Sequence, residues 1–117
     1  MIRNFIDLQI YKRSKILYAR VISVTRQFPR DGKYLSSQTD RAANSIHSNI
    51  AEGFGRSVSE FKNYLTRSLG SNNEILSHLE DALTAKYISQ KQFQELYAGY
   101  TILGKQIYRL RERWKQD

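Results

Sequence analysis

The chain has 117 residues, no cysteine, and 19 Lys and Arg against 11 Asp and Glu, for a formal charge of +8. One domain is the expectation at this length, and the missing cysteine excludes disulfides, thiolate metal sites and cysteine nucleophiles. No apolar run reaches the roughly 18 residues of a membrane span, and charges interrupt the N-terminal MIRNFIDLQIYKRSK before a secretory core can form, so a cytoplasmic protein with anionic partners is expected.

Hydrophobic spacing predicts four helices. The first covers about residues 5–27, with Ile6, Ile10, Leu17, Val21, Val24 and Phe28 on one face. Phe28-Pro29, followed by Arg30-Asp31-Gly32, stops it. Leu8, Tyr11, Tyr18 and Ile22 form a second apolar face, which implies either coverage by neighbouring helices or self-association. The second helix spans about 34–54 and ends at Gly53 and Gly55. Ser57-Val58-Ser59-Glu60 is a capping box opening a third helix over 58–86, with Phe61, Leu65, Leu69, Leu76, Leu79 and Leu83 in register. Gly70, inside that helix, costs about 1 kcal/mol against alanine, so a close packing partner is expected there. Ser89 and Gln92 repeat the cap before a fourth helix over 90–114, whose stripe is Phe93, Leu96, Tyr100, Leu103, Ile107, Leu110 and Trp114. Short turns between amphipathic segments predict an all-α, antiparallel up-down-up-down four-helix bundle occupying residues 1–117 as a single domain.

The second helix carries a polar line. Gln38, Arg41, Ser45, Asn49 and Glu52 are spaced three, four, four and three, beside a seam of Leu35, Ala42, Ile46 and Gly53. Such a line is either a register-fixing network between helices or a solvated face. Glu52 opposes the helix dipole in the last turn, where Arg56 or Arg41 would compensate it. Asn49 and Glu52 are expected to pin the glycine corner 53–55 as structural groups.

Those residues carry a resemblance. Phe28-Pro29, Gln38, Arg41-Ala42, Ser45-Ile46, Asn49-Ile50-Ala51-Glu52-Gly53, Gly55-Arg56, Glu60-Phe61, Leu65 and Gly70-Ser71 stand in one family's order and spacing. The chain resembles the small S23-like four-helix-bundle proteins encoded in intervening sequences of bacterial 23S ribosomal RNA genes. Those proteins in turn resemble the accessory variability protein of diversity-generating retroelements. The resemblance covers nearly the whole chain. It implies a homopentamer with a basic surface, RNA or DNA as partner, and, for the retroelement branch, a reverse transcriptase. The family usually has alanine before Gly-Ser and a continuation rich in leucine and glutamate, where this chain reads Leu69-Gly70-Ser71-Asn72-Asn73-Glu74.

Charge is unevenly distributed. Residues 1–30 carry +6, residues 31–56 balance at zero, residues 57–88 carry −1 and residues 89–117 carry +3. The excess falls on the first and fourth helices. Lys12, Lys15 and Arg26 on the first, and Lys91, Lys105, Arg109 and Arg113 on the fourth, are the candidate nucleic-acid-binding residues. Fivefold repetition would bring the charge to about +40, a field that gathers phosphate backbones with little sequence preference.

No catalytic pattern accompanies the charge. Glu74 and His78 are four apart, unlike the Glu-x-x-His of di-iron bundles, and His47 is the other histidine. Gly53-Phe54-Gly55 lacks the spacing of a phosphate loop, and Glu52 and Glu60 are accounted for by corner and cap. The expectation is a non-enzymatic protein without metal or cofactor, and the alternative is a protein-interaction scaffold whose charge only maintains solubility.

Overall fold

The computed structural model describes residues 2–115; Met1, Gln116 and Asp117, which the single-domain expectation included, lie outside the described residues. Four helices make up the fold: α1 (Gln9–Thr25), α2 (Lys33–Gly53), α3 (Val58–Thr84) and α4 (Gln90–Arg113). No strand occurs among the described residues. Packing joins α1 to α2, α2 to α3, α3 to α4 and α4 back to α1, a closed ring in a rod of 47 × 21 × 20 Å. Short connections make consecutive helices antiparallel, and after three such reversals α4 runs antiparallel to α1 as well.

The helix ends follow local chemistry. Both expected capping boxes are present, Ser57 with Glu60 and Ser89 with Gln92. A third, Asn4 with Asp7, closes a 3-10 turn over Phe5–Asp7, and the extended Leu8 separates that turn from α1. The first helix therefore starts at residue 9 and ends at 25 rather than spanning 5–27. Ile6 consequently leaves the core stripe and is exposed, whereas Leu8, assigned to the second face, is buried. Lys86 takes a left-handed φ of 64° after α3. There its N–H donates to the Leu83 carbonyl and the Tyr87 N–H to the Ala82 carbonyl, so a Schellman closure ends the helix two residues before the expected 86.

The core runs the length of the rod through Leu17, Val21, Ile46, Ile50, Phe61, Leu65, Ile75, Leu79, Tyr100, Leu103 and Ile107. On α3 the innermost line is Phe61, Leu65, Ser68, Asn72, Ile75, Leu79 and Ala82. Leu69, Leu76 and Leu83, expected in the core stripe, are half-buried flanks. The two polar members are satisfied in part by backbone: Ser68 Oγ donates to the Ile46 carbonyl at 2.9 Å and Asn72 Nδ2 to the Tyr100 carbonyl at 2.9 Å.

Part of the second face of α1 is used inside the chain. Tyr11 and Tyr18 both pack edge-to-face with His47 on α2, their ring centroids 5.9 and 5.0 Å from its own.

Candidate nucleic-acid interface

All seven candidate cations are exposed: Lys12, Lys15, Arg26, Lys91, Lys105, Arg109 and Arg113. None of them takes part in an ion pair among the described residues, where the ion-paired arginines are Arg56, with Glu60, and Arg111, with Glu112. An unpaired surface cation keeps its counterions and can exchange them for phosphates.

The seven do not form one patch. Lys12 lies in a groove of about 290 Å³ between α1 and α4, together with Gln9, Arg13, Ile16, Arg20 and Gly99. Arg13 and Arg20 belong to this cluster although the sequence reading passed them over. Their spacing of seven residues, with Ile16 between them, was the signal that could have found them. Gly99 holds the two helices close, since a Cβ there would stand 2.7 Å from the Leu17 side chain. Toward the α1 N-terminus, Arg109 and Arg113 line a hollow of about 340 Å³ with Ile2, Leu8, Gln106 and Leu110. Lys105 and Arg109 border a third groove, between α3 and α4. Lys15 sits on the opposite side of α1, beside His47 and Glu52. Arg26, just past the end of α1, and Lys91, in the first turn of α4, line none of these grooves. Lys12, Lys105, Arg109 and Arg113 are thus gathered at grooves beside α4, and Arg26, Lys91 and Lys15 stand apart from them.

The polar line of α2 is split between interface and surface. Asn49 Nδ2 donates to the Ser45 carbonyl at 2.8 Å and to Ser45 Oγ at 3.0 Å, and Ser71 Oγ on α3 reaches Ser45 Oγ at 2.8 Å. Gln38 is half-buried, while Arg41 and Glu52 are exposed. Asn49 therefore ties α2 to itself and, through Ser45, to Ser71; it does not reach the glycine corner. The corner is held differently. A Cβ at Gly53 would stand 2.4 Å from Tyr64 Cβ, so glycine lets α3 approach. Tyr64 Oη donates to Glu52 Oε2 at 3.4 Å. Arg56 donates to the backbone carbonyl of Glu52 at 2.8 Å, capping the helix end instead of neutralising the Glu52 carboxylate. Gly55 turns the chain with φ +89°. Gly70 contradicts its expectation, because a Cβ there would meet nothing within 4 Å in this chain.

His47 is a buried group whose sequence neighbours give it no role. Its Nδ1 lies 3.4 Å from Ser14 Oγ and its Nε2 lies 3.4 Å from Asn44 Nδ2. Burial first, and the nearby Lys15 second, push its pKa down to about 4, so it is neutral at physiological pH. Ser14 is fully buried, whereas the His47 ring borders the groove that holds Lys15 and Glu52. Among the described residues no group of three or more His, Asp or Glu could hold a metal, and no helix is long and apolar enough to cross a membrane.

Fold and surface together define an antiparallel four-helix bundle that gathers exposed cations beside α4. The chain belongs to the 23S rRNA-intervening sequence protein family, whose profile matches residues 6–109. Its fold is similar to that of a protein of unknown function from the S23 ribosomal protein family of Bacteroides thetaiotaomicron. That crystal structure superposes with a TM-score of 0.82 at 24% identity, covering 88% of this chain and 95% of the other. No curated protein matches the chain.

Proposed function

We propose that this protein is a non-enzymatic, cytoplasmic bundle that binds the phosphate backbone of RNA or DNA. It would work as a homo-oligomer, a pentamer by its resemblance, and serve a nucleic-acid-processing enzyme such as a reverse transcriptase. The observation that carries the reading is the set of exposed cations on α1 and α4 that have no carboxylate partner among the described residues, while residues 31–88 carry a net charge of −1. Cations already neutralised within the chain would add little to backbone binding; these are available for it.

The test is binding of labelled RNA and DNA across a salt series, with the mass of the assembly recorded alongside. Affinity is expected to fall steeply with salt. Replacing Lys105, Arg109 and Arg113 together by glutamate should weaken low-salt binding by about tenfold or more and reduce the salt slope by about three. An unchanged affinity in the triple variant removes these residues from the interface, and negligible binding by the wild type at low salt removes the reading.

A second reading, a scaffold that captures a protein, draws on one observation. Ile16 and Ile102 are 58% and 47% exposed on the helix pair that carries the cations. Capture of a defined protein with no response to nucleic acid at physiological salt would favour it.

A further inference from the structure

The groove between α3 and α4 holds more than charge. It encloses about 450 Å³, within the range of small-ligand pockets, and is lined by Leu69, Leu76, Asn72, Thr101, Gly104 and Tyr108, with Lys105 and Arg109 at its edge. Asn72, 2% exposed, is the unusual member. Its Nδ2 is committed to the Tyr100 carbonyl, while its Oδ1 is buried without a hydrogen-bond partner. Such an acceptor costs about 1–3 kcal/mol until something donates to it. Gly104 makes room for this amide, because a Cβ there would stand 2.8 Å from Asn72 Nδ2. Tyr108, by contrast, is 56% exposed, leaving an aromatic ring available beside the two cations.

An acceptor without a donor, an accessible aromatic ring, apolar walls and a cationic edge match the parts of an unpaired nucleotide. We infer that the α3–α4 groove is a docking site for a single unpaired base of an RNA or DNA strand. The base enters edge first. Its face lies against Tyr108, its flanking phosphates stay near Lys105 and Arg109, and its N–H donors reach the Asn72 carbonyl by displacing the groove wall that covers it. Lys105, Arg109 and Arg113 follow one another at intervals of four residues, about 6 Å apart along α4, so the backbone can continue toward the α1–α4 side. A base inside a duplex cannot lie against Tyr108, since its faces are covered by the stacked neighbours. This inference rests on the backbone-binding reading and adds to it a preference for single strands.

The experiment compares three labelled probes of equal length against the whole protein: a single-stranded oligonucleotide, an abasic strand with the same phosphates, and a duplex. The expected result is that the base-bearing single strand binds about tenfold or more tightly than the abasic strand, and more tightly than the duplex after correction for charge. Tyr108→Ala should reduce the first ratio to about one, and Tyr108→Phe should restore it. Tyr108 is exposed, so the variant tests contact rather than folding. Equal binding of base-bearing and abasic strands, or a ratio that survives Tyr108→Ala, overturns base docking while leaving backbone binding intact. Failure of all three probes to bind at low salt overturns the backbone reading itself. A change in assembly mass in Tyr108→Ala, with the ratio lost, assigns the groove to a second copy of the chain and likewise overturns the proposal.

Discussion

The two helix pairs on opposite sides of the bundle solve different problems. Between α2 and α3 the contacts are specific: Ser71 to Ser45, Ser68 to the Ile46 carbonyl, and the Tyr64 ring laid over Gly53. Charge on those segments nearly cancels. Between α1 and α4 the side chains that fill the outer groove are Lys12, Arg13, Ile16 and Arg20, and the close approach rests on Gly99 beneath Leu17. The difference teaches where selection for packing has left room for something else. A pair joined by short polar links and small residues holds the fold, and a pair that leaves grooves edged by exposed cations keeps those side chains out of the packing.

The largest expected effect breaks the packing side. Phe61 is fully buried against Phe54 and Trp114, with centroid distances of 5.8 and 4.8 Å. Phe61→Ala should cost about 3–5 kcal/mol in urea unfolding, whereas Ile16→Ala, on the exposed side, should stay within about 0.5 kcal/mol. Comparable losses at both positions would mean that the α1 surface is buried in an assembly.

Glycines sharpen the same contrast. Gly53→Ala should lose about 1–3 kcal/mol, because Tyr64 cannot yield at its Cβ without moving α3. Gly70→Ala should instead gain up to about 1 kcal/mol, since the site is open and helical. A loss at Gly70, together with a smaller assembly mass, would place a second copy of the chain against α3.

A third effect, which develops only as pH falls, concerns the seam between α1 and α2. His47 titrates near 6.5 when unfolded and near 4 when folded, so the unfolded chain takes up its proton first as pH falls. The stabilisation from neutral His47 is complete above pH 6.5 and is lost progressively toward pH 4. His47→Leu should flatten that part of the stability profile; an unchanged profile would assign the acid sensitivity to other groups.

Much of the fold was legible because helical periodicity and caps are local. Ser57 with Glu60 and Ser89 with Gln92 mark their helix starts through hydrogen bonds spanning three residues. The N-terminal turn was misread for the same reason in reverse: Ile6 fits the stripe, but the Asn4–Asp7 box ends its turn before α1 begins. Ser68 and Asn72 were passed over because polar side chains on an inner face look like errors until their acceptors are known. Those acceptors, the carbonyls of Ile46 and Tyr100, lie 22 and 28 residues away.

The site divides along the same line. Sequence alone determined that the chain is helical, where most of its helices start and stop, and that its excess charge falls on the first and fourth segments; each of these depends on neighbours within a turn or two. Only the tertiary structure decided which cations share a groove, that Asn49 bonds Ser45 instead of the corner, that Gly70 faces open space, and that Asn72 retains an unpartnered carbonyl in the wall between α3 and α4. Those facts depend on how one helix is rotated and set against another, and that is fixed by the packing of all four together.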